Sequence, residues 1–414
     1  MLPDRQVLVL GNGFDLQCGL KTRFEDFMQP RIARVKKMED ILSSSEDLPL
    51  ITVRGPDGHE LHGNNLSYLL WEKDLTVWDF ILLEDKQKRA WYDVEECIKD
   101  WVNYSSPSAS SKPHLRQICD TFGKPDKDHW PDLQGPIKAD QCVLAYATDF
   151  YRWDGQYSTL LDILSDQLRY FEGSFAAYIL DQITFNNRYA SYVDTLIGCL
   201  ANDEMPEQVL DINYTKGRYS ASSKSTNILD FNYTDPVKLM WENSPTCLNV
   251  HGLARENDII FGIDGTNVNP EQESYANIVK FTKTYRIMAL NNVPHRSLVR
   301  PYLSSDPDNA TSTIKFFGHS LAEADYSYFQ AIFDEVSLYE SNTRLIFYYN
   351  RKRPDGGNAK EEMFEKVNHL ITTYGQTLDN KDHGKNLLHK LLLEGRLIIK
   401  QVPLNSREVY IAND

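Results

Sequence analysis

Gln6 to Phe27 reads QVLVLGNGFDLQCGLKTRFEDF, and the rest of the chain is interpreted outward from it. The apolar run to Leu10 meets a Gly-Asn-Gly-Phe-Asp turn at Gly11 to Asp15 and passes into an amphipathic segment. That is the pattern of a buried strand, a tight glycine turn and a helix. Gly11 and Gly13 can take backbone angles closed to other residues, so the turn can bring amide N–H groups close to a ligand, as phosphate-binding turns do. A lone Gly-x-Gly is also a common turn that binds nothing, so its weight depends on the strand ends later in the chain.

The second half carries short apolar runs that each end in Gly, Asn, His or Asp: Thr226 to Tyr233, Thr246 to Val250, Asp258 to Ile263, Thr313 to Phe317 and Arg344 to Tyr349, with Arg396 to Val402 as a last strand. Runs buried on both faces are typical of parallel strands, and the helical segments between them permit right-handed crossovers. Between the first strand and these runs the pattern is helical. Trp91, Val94, Ile98 and Trp101 recur at helical spacing, as do Leu160, Leu161, Ile163, Leu164, Leu168, Phe171, Phe175 and Ile179, and Val193 to Leu200 adds more helix. Glu361 to Tyr374 predicts one further amphipathic helix. Gly55 to Asn65, with His59 and His62, reads as an exposed turn, and Asn103 to Gln141 as a Ser- and Pro-rich irregular excursion. The expected division is a discontinuous core of residues 1–70 and 201–414 and a mainly helical insertion or lid of residues 71–200.

At 414 residues with 41% hydrophobic and 25% charged residues, the chain can bury one large core or two modest ones. A net charge of −15 argues against a nucleic-acid coat or an anionic membrane surface as partner. No apolar span is long enough to cross a membrane, and the start carries Asp4 and Gly11 where a signal peptide stays apolar, so a cytoplasmic location is expected. The six cysteines stand singly, without metal-ligand spacing, and no metal is expected.

The polar residues of interest cluster at strand ends, where ligands bind in doubly wound sheets. They are Gly11, Asn12, Gly13, Phe14 and Asp15 after the first strand, Asn232 in Asn232-Tyr233-Thr234-Asp235, His251-Gly252, and Gly318-His319-Ser320. Asn232 can donate and accept, and so orient a ribose hydroxyl or a water; as a turn residue it needs no ligand. His251 beside Gly252 has room to meet a ligand and titrates near neutral pH, as a general base should, and a structural histidine is the other reading. Ser320 can cap the following helix or hydrogen-bond a phosphate or ribose.

The ordered set LGNGFDLQCGLKTRF, FNYTD, VHG and FFGHSLAEADYSYF resembles the bacterial AbiH family of abortive-infection proteins, which is similar to the SIR2-like superfamily of NAD-binding and NAD-cleaving domains. The resemblance implies an α/β fold of Rossmann-like, SIR2-like type: a mostly parallel sheet flanked by helices, with a helical insertion between the first strand and the later ones. It places Gly11 and Gly13 along the pyrophosphate of NAD, Asn232 and His251 at the nicotinamide ribose, and Gly318 with Ser320 at the adenosine half. Gly19, Leu20 and Phe24 echo the segment that covers the nicotinamide. The turn departs from the deacylase Gly-Ala-Gly-x-Ser, so Asn12, Phe14 and Asp15 need roles of their own, and the four-cysteine zinc module of the deacetylases is missing. The implied function is an antiphage effector that binds NAD or a related nucleotide as substrate and hydrolyses the nicotinamide–ribose bond. In that chemistry Asp15 or Glu95 would stabilise the ribosyl cation, Asn232 would position the nucleophile and His251 would accept its proton. Such an enzyme must be silent before infection, which implies gating by homo-oligomerisation, by a lid, or by a phage-derived trigger or defence-system partner protein. The alternatives are a non-catalytic nucleotide-sensing module and a nuclease or ADP-ribosyltransferase acting on nucleic acid, the last disfavoured by the negative charge.

Overall fold

The computed structural model describes residues 5–44, 51–54, 60–63, 74–84, 91–102, 114–122, 138–151, 153–202, 225–239, 245–272, 274–290, 298–306, 309–322, 325–350 and 358–402. The strands are β1 (Arg5–Leu10), β2 (Ile51–Arg54), β3 (Glu60–Gly63), β4 (Ser225–Asp230), β5 (Thr246–Asn249), β6 (Thr313–Phe317), β7 (Arg344–Tyr349) and β8 (Leu397–Gln401). The helices are α1 (Asn12–Gln17), α2 (Phe24–Ser44), α3 (Val77–Glu84), α4 (Trp91–Val102), α5 (His114–Phe122), α6 (Ala139–Tyr151), α7 (Tyr157–Phe185), α8 (Tyr189–Asn202), α9 (Tyr275–Ile278), α10 (Lys283–Ala289), α11 (Tyr326–Glu335), α12 (Ala359–Thr377) and α13 (Lys381–Leu393).

The chain divides into two units, one of residues 1–22, 179–255 and 292–414, the other of residues 23–178 and 256–291. In this division α8 belongs to the first unit, and the segment from Glu256 to Asn291 to the second.

In the first unit six strands form one sheet in the order β5-β4-β1-β6-β7-β8, every neighbouring pair parallel. Numbered along the chain within that sheet, this is the 3-2-1-4-5-6 order of the Rossmann-like fold. β1 lies centrally, which explains why Val7, Leu8, Val9 and Leu10 are all buried. Both faces are covered. Val7, Val9, Phe316 and Phe347 pack with Phe329 and Phe333 of α11 and with Val367, Leu370, Ile371 and Tyr374 of α12. Leu8, Leu10, Ile228, Ile346 and Tyr348 pack with Phe14 of α1 and with Tyr189, Val193, Leu196, Ile197 and Leu200 of α8. Alternate residues of each strand therefore feed opposite cores, as side-chain alternation requires.

The second unit is largely helical. A buried ion pair joins Arg31 to Asp79, whose carboxylate also accepts from the Thr76 amide at 2.7 Å. Phe27 meets Phe171 and Phe175 edge-on. Three expectations change here. Asp258 to Ile263 is not a sheet strand: the Phe261 amide donates to Glu172 and its carbonyl accepts from Arg286, so its polar groups are engaged by that ion pair, and Ile263 makes only an isolated bridge to Thr282. Within the expected exposed turn, Glu60–Gly63 is a strand paired antiparallel with Ile51–Arg54, whereas His59 lies outside the described residues. Residues 114–122, inside the expected irregular excursion, form α5, and the Ser-rich part of that excursion, 103–113, lies outside the described residues.

α12 and α13 meet through two glycines. A Cβ on Gly384 would fall 2.0 Å from the Gly375 carbonyl oxygen, and one on Gly375 2.5 Å from that of Gly384. Backbone cannot yield as a flexible side chain does, so Gly384→Ala is expected to destabilise the chain by about 1–3 kcal/mol. The exposed neighbour Lys385→Ala should stay within about 0.5 kcal/mol of wild type. Urea midpoints of the two variants test this, and equal midpoints would contradict it.

Candidate functional site

Strand register brings three loops together at the carboxyl edge of the sheet. Leu10 pairs with Asp230 on one side and Phe317 on the other, so the chain leaves β1, β4 and β6 at one level. Gly11 and Gly13 face Gly318 there. A Cβ on Gly13 would lie 2.6 Å from the Gly318 Cα, one on Gly11 2.4 Å from the His319 Cα, and Gly318 itself has φ +75°. The Gly11 amide donates to the Phe317 carbonyl at 3.0 Å and the Gly13 amide to the Gly318 carbonyl at 2.8 Å. In this arrangement the glycines let two loops meet backbone to backbone, and those two amides point into the protein. Asn12 ties the turn to Thr22, donating from Nδ2 to its carbonyl at 3.0 Å, and Phe14 is a core residue.

A buried polar lattice joins these loops. The Asn232 amide donates to Asp230 Oδ1 at 3.0 Å, and Asn232 Nδ2 to the Gly11 carbonyl at 3.1 Å. Asn249 Nδ2 donates to the carbonyls of Thr234, at 2.6 Å, and Asn232, at 3.1 Å. Asp15, 2% exposed, accepts from the Tyr189 hydroxyl at 2.7 Å and from Thr234 at 3.0 Å. Burial pushes the Asp15 carboxyl up to about 6, against the pull of those two hydrogen bonds. Burial also holds Asp230 well above the ordinary carboxylate range, with the Asp15 charge adding to the effect. Both follow from moving a carboxylate out of water.

A second group lies beside the lattice. Nε2 of His251 is 3.2 Å from Oδ1 of Asp325, and Nε2 of His319 is 3.3 Å from Oδ2 of the same carboxylate. Phe231 sits edge-on to both rings, at 5.5 Å from His251 and 4.6 Å from His319. Gly252, after His251, has φ +83°. Ser320 is exposed, and its Oγ accepts from the Ala322 amide at 3.4 Å.

The candidates Gly11, Asn12, Gly13, Asp15, Asn232, His251, Gly318 and His319 thus converge on one sheet edge. Glu95 belongs to the other unit, where it pairs with Lys283 at 2.5 Å. Phe24 also falls in that unit, and Gly19 is held by Asn186 Nδ2 on its carbonyl at 3.1 Å. Sequence reasoning named Thr234 only within Asn232-Tyr233-Thr234-Asp235, without a role, and missed Tyr189, Asn249 and Asp325. Thr234 and Asp325 belong to the motifs FNYTD and FFGHSLAEADYSYF, whereas nothing local to Tyr189 or Asn249 marks them. Among the described residues no group of three His, Cys, Asp or Glu side chains is placed to hold a metal ion, and no disulfide joins the cysteines.

Asp15 makes stability depend on pH. Its folded pKa, about 6, lies above the ordinary 3.8, so the folded state binds more protons between those values. Its contribution is therefore present below about pH 4 and lost as pH rises through about 6, by up to about 3 kcal/mol. Asp15→Asn cannot titrate, so its stability relative to wild type should rise between pH 4 and pH 7, measured from urea midpoints. A constant difference would contradict this role of Asp15.

A sequence model of the family described as bacteriophage abortive infection AbiH matches residues 7–349, from β1 through β7. No curated protein and no solved structure matches the chain. The matched span takes in every strand-end loop described above, and on that ground the chain belongs to the AbiH family of bacteriophage abortive infection.

Proposed function

We propose that this abortive-infection protein acts as an enzyme, binding NAD or a related nucleotide as substrate at the carboxyl edge of the sheet and hydrolysing its nicotinamide–ribose bond. The observation that carries the reading is the convergence of Asn232 and His251 beside β1, at the point where strand order reverses in the 3-2-1-4-5-6 sheet. Ligands of open parallel sheets bind in that crevice. The choice of nucleotide follows from the resemblance of the motifs LGNGFDLQCGLKTRF, FNYTD, VHG and FFGHSLAEADYSYF to those of SIR2-like NAD-cleaving domains.

Cleavage builds positive charge on the ribose, so the protein's part is to hold the sugar, stabilise that charge and admit water. Asn232 would orient the water or a ribose hydroxyl, and His251 would take the proton released as water attacks. Asn232 and His251 are 3% and 5% exposed, so admitting a sugar requires movement of the strand-end loops. That fits an effector kept silent until a phage-derived trigger, a partner protein or homo-oligomerisation opens the site, with depletion of NAD as its output. Asp15 is enclosed by Tyr189 and Thr234, and its part would be to anchor the loops from below.

One observation favours a second reading, in which the site senses a nucleotide without turnover: the amides of Gly11 and Gly13 and the Asn232 side chain are already engaged within the protein. Nicotinamide release from NAD, measured with and without phage lysate, separates the two. Wild type should release nicotinamide, and His251→Ala and Asn232→Ala should lose about 10²- to 10⁴-fold in rate while keeping a cooperative thermal transition. Unchanged turnover in folded His251→Ala would overturn its assignment. Saturable binding without release would favour the sensor.

A further inference from the structure

Asp325 precedes α11 as its N-cap residue, where a carboxylate ordinarily accepts a hydrogen bond from one of the first helical amides. Its side chain makes no such bond. The helix forgoes that contact, and the carboxylate lies against two imidazoles instead, with Oδ1 3.2 Å from His251 Nε2 and Oδ2 3.3 Å from His319 Nε2. Both distances are ion-pair contacts, and His251 Nε2 does not complete a hydrogen bond in this conformation, so a rotation of the ring is needed to align it with the carboxylate.

The protonation state of His319 follows from its other nitrogen. Nδ1 of His319 accepts the Leu321 amide proton at 2.9 Å. An accepting nitrogen carries the lone pair, so in the neutral ring the proton sits on Nε2 and faces Asp325. That tautomer also argues against His319 Nε2 as a metal ligand, because a ligating Nε2 needs Nδ1 to be the N–H donor. The surroundings are aromatic: Phe231 contacts both rings, Phe329 lies edge-on to His319 at 5.0 Å, and Tyr328 and Tyr233 lie 6.0 and 6.4 Å from His251. The Asp325 side chain is only 13% exposed. Away from water a charge this close acts far more strongly than it would in bulk solvent.

We infer that Asp325 is a positioning residue that holds His251 and His319 as one unit, a single carboxylate within reach of Nε2 of both rings and stabilising an imidazolium formed on His251. Its role in turnover rests on the reading of His251 as the proton acceptor; the two-ring arrangement stands without that reading. When His251 takes the proton of the attacking water, Asp325 stays ionised and offsets the new positive charge, and His319, sharing the carboxylate, fixes its orientation. A purely structural Asp325 would serve the helix start and no more.

The test is proton NMR of the full chain labelled with ¹⁵N-histidine, beside nicotinamide release. Wild type should show two imidazole N–H resonances downfield of the amide envelope. His251→Gln should remove one, His319→Gln the other, and Asp325→Asn should move both out of that region. Asn is as good an N-cap residue as Asp, so the Asp325 variant keeps its helix start. In turnover Asp325→Asn should lower kcat about 10²-fold with KM little changed, and Asp325→Glu should restore part of it. Should Asp325→Asn fail to fold, Asp325→Glu decides, since moving the carboxylate should shift both lines together and unshifted lines would overturn the inference. Absence of the two resonances in wild type, their persistence in Asp325→Asn, or a wild-type kcat in that variant would each overturn the inference. Wild type that shows both lines, loses them in Asp325→Asn and releases no nicotinamide under any condition would uphold the arrangement and remove the NAD reading alone.

Discussion

The approach of the Gly11–Gly13 backbone to Gly318 is the contact on which the sheet edge depends. The amide of Gly13 reaches the Gly318 carbonyl only because no Cβ stands between the loops, and any side chain at these glycines would strike backbone. Once the two loops are that close, the register of β4, β1 and β6 determines what lies around them: Asp230 and Asn232 on one side, His319 on the other. The polar lattice then follows from the need to pair every buried donor and acceptor. Asn232 bonds the Gly11 carbonyl, Asn249 bonds the turn that carries Asn232 and Thr234, and Thr234 and Tyr189 enclose Asp15.

Such an edge is rigid and electrostatically loaded. Two carboxyl groups, Asp15 and Asp230, are held above their ordinary range by burial, and a third, Asp325, lies between two imidazoles. Buried polar networks of this kind fix one conformation when every member is satisfied. The same pairing limits access, which is what an effector that must stay silent until infection would require. Opening the edge would have to break several of these bonds together, so the response to a trigger would be a switch between discrete arrangements.

Much of this was legible in the sequence because burial on both faces leaves a plain mark. The largely apolar runs of β1, β6 and β7 read as interior parallel strands, and the polar residues that end them gather on one edge. Asp258 to Ile263 bears the same mark and is not a strand, because its backbone is bonded by Glu172 and Arg286, residues remote in sequence. The glycines were recognised as sites of close approach, but the sequence could not say whether a phosphate or a neighbouring loop would approach. Asp325 was hidden by its position: an acidic residue before a helix reads as a cap, and only the fold turns its carboxylate to His251 and His319. Tyr189 reaches Asp15 across a separation that no local pattern records.

Whether this edge receives a nucleotide decides between an active site and a purely structural lattice. Calorimetric titration of the intact chain with NAD, under conditions where no nicotinamide is released, addresses that without reference to turnover. A saturable heat corresponding to one NAD per chain is predicted. The absence of any binding heat up to millimolar NAD, with and without phage lysate, would contradict it and leave the strand-end lattice as structure alone.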